Sequence, residues 1–311
     1  MMTDVAFLYP GQGSQSKGMG KLLAEQFPEA KHTFEEADDA LGFSLSALCF
    51  EGSDDDLKKT ENTQPALLAV SIAAHRVLAS RHFAPSVVAG HSLGEYSASV
   101  AAGALSFGDA LRLVRQRGQY MQHAVPEGTG AMAALLKLPE DQLDRILSEA
   151  AQGEIVSAAN FNSPEQVVIA GHTHAVDRAM ELAKAAGAKR AVRLPVSAPF
   201  HCALMRPAQE RLAAALDATA FTDPRIPLVN NWQARRITTA AEARQGLYEQ
   251  IPNPVRWTES IREISHSGIR RFVEVGVGSV LLGLVRKIEP VLEGAKFGEP
   301  ADLEKVEALL A

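Results

Sequence analysis

The segment APSVVAGHSLGEYSASVAAGAL, residues 84–105, leaves this chain few architectures to choose from. A short apolar strand, APSVVAGHS, runs into a turn with glycine at 90 and 94, and residues 95–104 have the composition of a helix. Strand, sharp turn and helix form the building unit of a layered α/β domain. In a G-x-S-x-G turn the small glycines let the backbone bend without Cβ clashes, so the Ser92 hydroxyl projects from the end of the sheet. The helix that follows aims unpaired N–H groups and a positive dipole end at the same point, which suits an oxyanion. Five such residues also fit a helix-capping serine in a glycine turn. The position after a strand and before a helix is what favours a nucleophile.

The rest of the chain continues the alternation. VAFLYP reads as a strand, followed by helices near 18–27 and through 65–81, the strand SVVAG, and helices through 95–123. Between about 127 and 195 the order changes to strand (GAMAALLKL), helix (PEDQLDRILSEA), two strands (IVSAANFNSPEQVVIAG), helix (HAVDRAMELAKAAGA) and strand (KRAVRLPVS). This is the split β-α-β order of a ferredoxin-like insert. IPLVNN and RRFVEVG then resume the first pattern. The expectation is an α/β core from residues 1–126 and 197–311, with 127–196 as an inserted small subdomain that forms a cleft with it.

Composition narrows the function classes. A net charge of −6 over 311 residues gives no general attraction to nucleic acid or anionic membrane. No run of about 18 uncharged apolar residues is present, and MMTDVAFLYP lacks a basic region and a long apolar run, so a cytoplasmic protein is expected. Cys49 and Cys202 are too few for a disulfide scaffold or a cysteine metal cluster and are read as plain buried thiols. His172 and His174 form an H-x-H without a third ligand nearby, so no metal site is expected. GQGSQSKG would need glycine at Ser16 to match a dinucleotide fingerprint. Gly11 and Gly13 instead serve close approach of that loop to the serine.

A base for Ser92 must come from nine histidines. His32, His75, His82, His123 and His266 sit in helical or flanking contexts, as surface or packing residues. His91 adjoins Ser92, and neighbours in such a turn point apart, so it supports the site. His201, in LPVSAPFHC, follows two prolines and an apolar strand where the insert returns to the core. A histidine on a stiffened loop at the cleft edge is the better candidate. On the helical stretch DALRLVRQRGQYMQ, Arg117 shares a row with Leu113 and Met121, whereas Arg112 falls on the polar side. Arg117 is therefore expected to be partly buried and to need a partner.

FLYPGQGSQ, GHSLGEYSA, RLVRQRGQYMQ, VSAPFHC, QIPNPVRW and FVEVGVGSVL, in this order and at these spacings, resemble the malonyl-CoA:acyl carrier protein transacylase family of type II fatty acid synthesis. The resemblance implies an α/β-hydrolase-like core with a ferredoxin-like insert. It also implies ping-pong transfer of malonyl from coenzyme A to the phosphopantetheine thiol of acyl carrier protein through an acyl-serine, with no cofactor beyond these substrates, in a monomer. Carried residue by residue, it makes Ser92 the nucleophile and His201 the general base, with the Gln250 main-chain carbonyl orienting the imidazole. The backbone N–H groups of Leu93 and Gln12 become the oxyanion hole, and Arg117 a bidentate partner for the malonyl carboxylate. Phe200 limits the acyl pocket, Asn160 and Asn162 line the cleft, and His91 supports it. The stretch SAPFH departs from that usual in the bacterial enzymes, which leaves the acyl range open. An acidic carrier on an acidic enzyme needs a local basic patch, for which Lys189, Arg190, Arg193, Arg286 and Lys287 are candidates. A related transferase of polyketide synthesis or malonate decarboxylation stays open. A serine thioesterase or esterase would place an acid between serine and a late histidine, a position this chain does not offer. An idle interaction module has no use for the full set of Ser92, His201, Arg117 and Gln250.

Overall fold

The computed structural model describes residues 4–196 and 198–311, apart from the side chain of Glu140. Residues 1–3 and Ser197 of the VSAPFHC motif lie outside the described residues. Among the described residues there are ten strands: β1 (Val5–Tyr9), β2 (Val87–Gly90), β3 (Gly130–Leu136), β4 (Val156–Ser163), β5 (Gln166–His172), β6 (Arg190–Arg193), β7 (Leu228–Val229), β8 (Arg236–Ile237), β9 (Arg271–Val275) and β10 (Glu293–Phe297).

Six of them form one sheet in the order β10-β9-β1-β2-β7-β8, parallel except where β8 turns back along β7. Alternation along β1 divides its side chains between two cores. Val5, Phe7 and Tyr9 pack with helices Pro28–Leu41, Thr60–Ser80 and Phe107–Gln122, while Ala6 and Leu8 pack with Val87, Ala89, Trp257, Ile261 and Leu281 on the opposite face. Both faces being covered, the strand reads as an unbroken apolar run. Each large side chain buried there contributes on the order of 1.5–3 kcal/mol.

The other four strands make an antiparallel sheet in the order β4-β5-β3-β6. With helices Leu143–Ala151 and Thr173–Ala185 on one face, this is the ferredoxin-like arrangement the sequence order implies. Its other face carries Met132, Ala134, Ala159, Val168 and Ala170 against Cys202, with Phe200 and Leu194 packed alongside. The insert is also stitched to the core away from where the chain crosses. The Phe161 N–H donates to the Val255 carbonyl, the Val255 N–H donates to Ala159, and the Thr258 hydroxyl donates to the Phe161 carbonyl.

The helices expected through 95–123 are Gly94–Ala101 and Phe107–Gln122, the second capped by the Ser106 hydroxyl, which accepts from the Asp109 N–H. Two details differ from the sequence reading. IPLVNN contributes only the two-residue β7. Helices Leu45–Glu51 and Asp54–Lys58, capped by Ser44 and Ser53, fill a region where periodicity gives no signal. Both cysteines are buried and unpaired, as expected.

Candidate active site

The carboxyl ends of β1 and β2, side by side at the centre of the sheet, carry the two loops that meet at Ser92. The strain of the turn falls on the serine itself, with φ 52°, and not on the glycines, neither of which has positive φ. Gly90 and Gly94 are needed for close approach instead. A Cβ at 90 would lie 1.9 Å from the Gly94 carbonyl carbon, and one at 94 would lie 2.0 Å from the Tyr9 carbonyl oxygen. Left-handed backbone costs a serine about 1–2 kcal/mol. The Ser92 N–H, donating to Asn231 Oδ1 at 2.7 Å, helps to offset that cost, and Asn231 in turn donates from Nδ2 to the Gly90 carbonyl at 2.7 Å. In the loop after β1, Gly11 does face the serine turn closely, since a Cβ there would lie 2.4 Å from the His91 carbonyl oxygen. Gly13 meets nothing and owes its identity to φ 105°.

Ser92 Oγ lies 2.7 Å from His201 Nε2, and His201 Nδ1 lies 2.8 Å from the Gln250 main-chain oxygen. A carbonyl accepts only, so Nδ1 carries the proton and Nε2 is left free to take one from the serine hydroxyl. His201 is buried, and burial, followed by the nearby Arg117 charge, pushes its pKa down to about 3. The imidazole is therefore neutral across the physiological range. No described residue accepts a hydrogen bond from the Leu93 or Gln12 main-chain N–H, and both residues line the same cavity as Ser92.

Arg117 is 2% exposed. Its Nη1 donates to Gln64 Oε1 at 2.7 Å, and its Nη2 donates to Gln250 Oε1 at 2.9 Å and to Ser92 Oγ at 3.2 Å. Its Nε has no partner among the described residues, and the Tyr96 ring lies 5.6 Å from its central carbon. All of its hydrogen-bond partners are neutral oxygens. No described carboxylate forms an ion pair with it. A buried cation held this way costs free energy until an anion arrives.

Glu95, fully buried in the first turn of the helix after Ser92, does not supply that anion at neutral pH. Burial raises its pKa to about 8, against the Asn231 N–H, the Arg117 charge and the Gln250 amide, which lower it. A carboxyl whose pKa is raised on folding contributes stability that is full below the ordinary value near 4.5 and is lost as pH rises toward 8. Glu95→Gln, which cannot ionise, is therefore expected to gain on the parent chain by roughly 4 kcal/mol between pH 5 and pH 9. Denaturant unfolding at the two pH values measures it, and an unchanged difference would mean that the carboxyl is not held neutral.

The cavity in front of Ser92, about 130 Å³, is lined by Gln12, Gln64, His91, Leu93, Arg117, Asn160 and His201 on its polar side. Met121, Met132, Leu194, Val196 and the half-buried Phe200 line its apolar side. Asn162 stands behind this wall, with Oδ1 2.8 Å from His91 Nε2. Of the remaining histidines, His75 is half-buried with Nδ1 2.9 Å from the Tyr9 hydroxyl, and His172 Nδ1 accepts from the Ile155 N–H. No group of residues suited to a metal ion occurs among the described residues. Gln64, Glu95 and Asn231 join the site without having been anticipated. Gln64 and Asn231 belong to segments that read as ordinary core and only the fold brings them to Ser92, whereas Glu95 follows the serine by three residues.

A strained serine on a strand-to-helix turn, bonded to a neutral histidine and facing a buried cation, defines a serine enzyme of acyl transfer. The chain belongs to the acyl transferase domain family, whose model matches residues 6–295. It is 50% identical to the malonyl CoA-acyl carrier protein transacylase of Salmonella typhimurium over 303 residues, covering 97% of this chain and 98% of that one. Its fold matches the crystal structure of an acyl carrier protein S-malonyltransferase from Vibrio cholerae with a TM-score of 0.96 at 49% identity, covering 97% and 99% of the two chains. It also matches a malonyl-transacylase solved in complex with a type II PKS acyl-carrier protein, with a TM-score of 0.95, 50% identity and 98% of each chain covered.

Proposed function

We propose that this chain transfers malonyl from malonyl-CoA to the phosphopantetheine thiol of acyl carrier protein, by way of a malonyl ester on Ser92, and so supplies fatty acid chain elongation. One observation carries the choice of substrate. Arg117 is buried, lacks a carboxylate partner and touches the Ser92 hydroxyl itself. A malonyl group carries its free carboxylate one methylene from the thioester carbon. A cation beside the nucleophile therefore meets that carboxylate when the carbonyl is in position for attack.

Ser92 Oγ attacks the thioester carbon while His201 Nε2 takes its proton. The carbonyl oxygen, now an oxyanion, accepts from the Leu93 and Gln12 N–H groups. When the tetrahedral intermediate collapses, the C–S bond breaks and the coenzyme A thiolate leaves with the proton from His201. The carrier thiol then repeats the sequence in reverse and regenerates the serine. A neutral carbonyl on Nδ1 stabilises imidazolium less than a carboxylate would, which leaves the proton easy to return. Side chains and main-chain N–H groups supply each of these roles, so no cofactor is called for.

Phe200 and the two methionines bound the space beside the acyl group and disfavour branched acyl chains. Asn160 faces the cleft, while Asn162 holds His91 in place. Lys189, Arg190 and Lys287 share one groove with Lys137, which is paired with Glu165 at 3.0 Å, and an acidic carrier protein would dock on the first three. Arg193 is engaged with Asp177 at 2.5 Å. No described helix is long and apolar enough to cross a membrane. A cytoplasmic monomer, with 127–196 as the inserted unit of the core, completes the proposal.

Incubation with malonyl-CoA should add one malonyl mass to the intact chain, and phosphopantetheinylated acyl carrier protein should then remove it. A label on Cys202, or none, would defeat the proposal. The pH dependence gives a second reading. Since His201 is already neutral well below its ordinary value, kcat/KM for acylation should stay level from pH 8 down to pH 5. A decline centred near pH 6.5 would show a histidine in ordinary contact with water.

A further inference from the structure

The Gln250 side chain touches the site at both ends. Its Nε2 lies 3.2 Å from the Ser92 carbonyl oxygen and 3.2 Å from Glu95 Oε2, and its Oε1 accepts from Arg117 at 2.9 Å. An amide has one donating and one accepting end, and the wrong way round it would set a carbonyl against two oxygens and an NH₂ against a guanidinium. Glu95 Oε2 also accepts from the Asn231 N–H at 3.0 Å, and Asn231 holds the Ser92 N–H. Glu95 itself touches neither the cavity nor the serine hydroxyl.

Resting on the malonyl-transfer reading above, we infer that Glu95 is a positioning residue: as an acceptor it fixes which way round the Gln250 amide sits, and so keeps Arg117 aimed at the substrate carboxylate. The His201 link to Gln250 runs through the main chain and does not depend on that orientation. Loss of the Glu95 acceptor therefore acts on substrate choice more than on the serine–histidine chemistry. Neutral Glu95 can do this work, because an acid that keeps its proton on Oε1 still accepts with Oε2. The charge is not needed; the oxygen is.

The experiment compares single-turnover acylation by malonyl-CoA and acetyl-CoA in the parent chain, Glu95→Met and Glu95→Gln, with cooperative unfolding recorded for each. Methionine fills a similar volume without the acceptor, whereas glutamine retains one. The malonyl-to-acetyl ratio of kcat/KM is expected to fall on the order of ten- to a hundredfold in Glu95→Met, the loss of a buried hydrogen bond and its consequences. In Glu95→Gln the ratio should return to within about threefold of the parent. A folded Met variant with the parent ratio overturns the inference, as does a Gln variant impaired like Met. A Met variant without cooperative unfolding also overturns it, since Glu95 is then simply structural. Failure of the parent chain to acylate at Ser92 is a different result, and it sinks the malonyl-transfer reading itself.

Discussion

Ser92→Ala is expected to leave the mass of the chain unchanged after exposure to malonyl-CoA and to lower turnover on the order of 10⁴- to 10⁶-fold. The alanine keeps the backbone that Asn231 holds and suffers about the same left-handed strain, so unfolding should be close to that of the parent chain. What disappears is the hydroxyl proposed to carry the acyl group. His201→Ala should act nearly as strongly on acylation, because the hydroxyl then has no acceptor at 2.7 Å to take its proton. A Ser92→Ala chain that still gained the malonyl mass would place the nucleophile elsewhere. An unchanged single-turnover rate in His201→Ala would remove the histidine from the mechanism.

Arg117→Ala separates a malonyl transferase from other users of a serine on a strained turn. With the guanidinium gone, the malonyl carboxylate enters a cavity whose remaining polar side chains, Gln12, Gln64, His91, Asn160 and the neutral His201, offer it no charge. Stranding a buried anion costs about 3 to 5 kcal/mol, or roughly a hundred- to a few-thousandfold in kcat/KM for malonyl-CoA. Acetyl-CoA brings no carboxylate, so its slow reaction should be unchanged or improved by removal of an unpaired buried cation. The ratio of the two substrates is the quantity to measure. Arg117→Lys should restore little, as an ammonium cannot span Gln64, Gln250 and a carboxylate together. Equal losses for both thioesters would make Arg117 a support of the fold or of the serine.

The local order of elements was open to reading because it is written in short-range pattern. The strand before Ser92, the helix after it and the β-α-β-β-α-β order of the insert each declare themselves within a few dozen residues. Burial of Arg117 followed from a single helix row shared with Leu113 and Met121. Assignment of Gln250 and Gln12 needed the family resemblance, since their contributions are main-chain groups that no side-chain pattern encodes. Asn231 and Glu95 are 139 and 136 residues from the groups they hold at this site. Such partners leave no local trace. The glycine turn shows a different limit, because sequence locates the bend but does not say which residue bears the positive φ.

The stitch between β4 and Val255 bears on how the two halves of the molecule can move. The chain crosses between core and insert at the start of β3 and after β6, where Gly130 packs so closely on Pro199 that an added Cβ would lie 2.3 Å from its ring. Two crossings side by side would act as the pin of a door. β4, however, stands two strands away from β3, about 10 Å across the sheet, and is fastened to the core along its own edge. A panel fixed at its pin and again at its far edge does not swing. The width of the cleft is thus set when the chain folds, and the donor thioester and the acceptor thiol must take turns at one fixed opening.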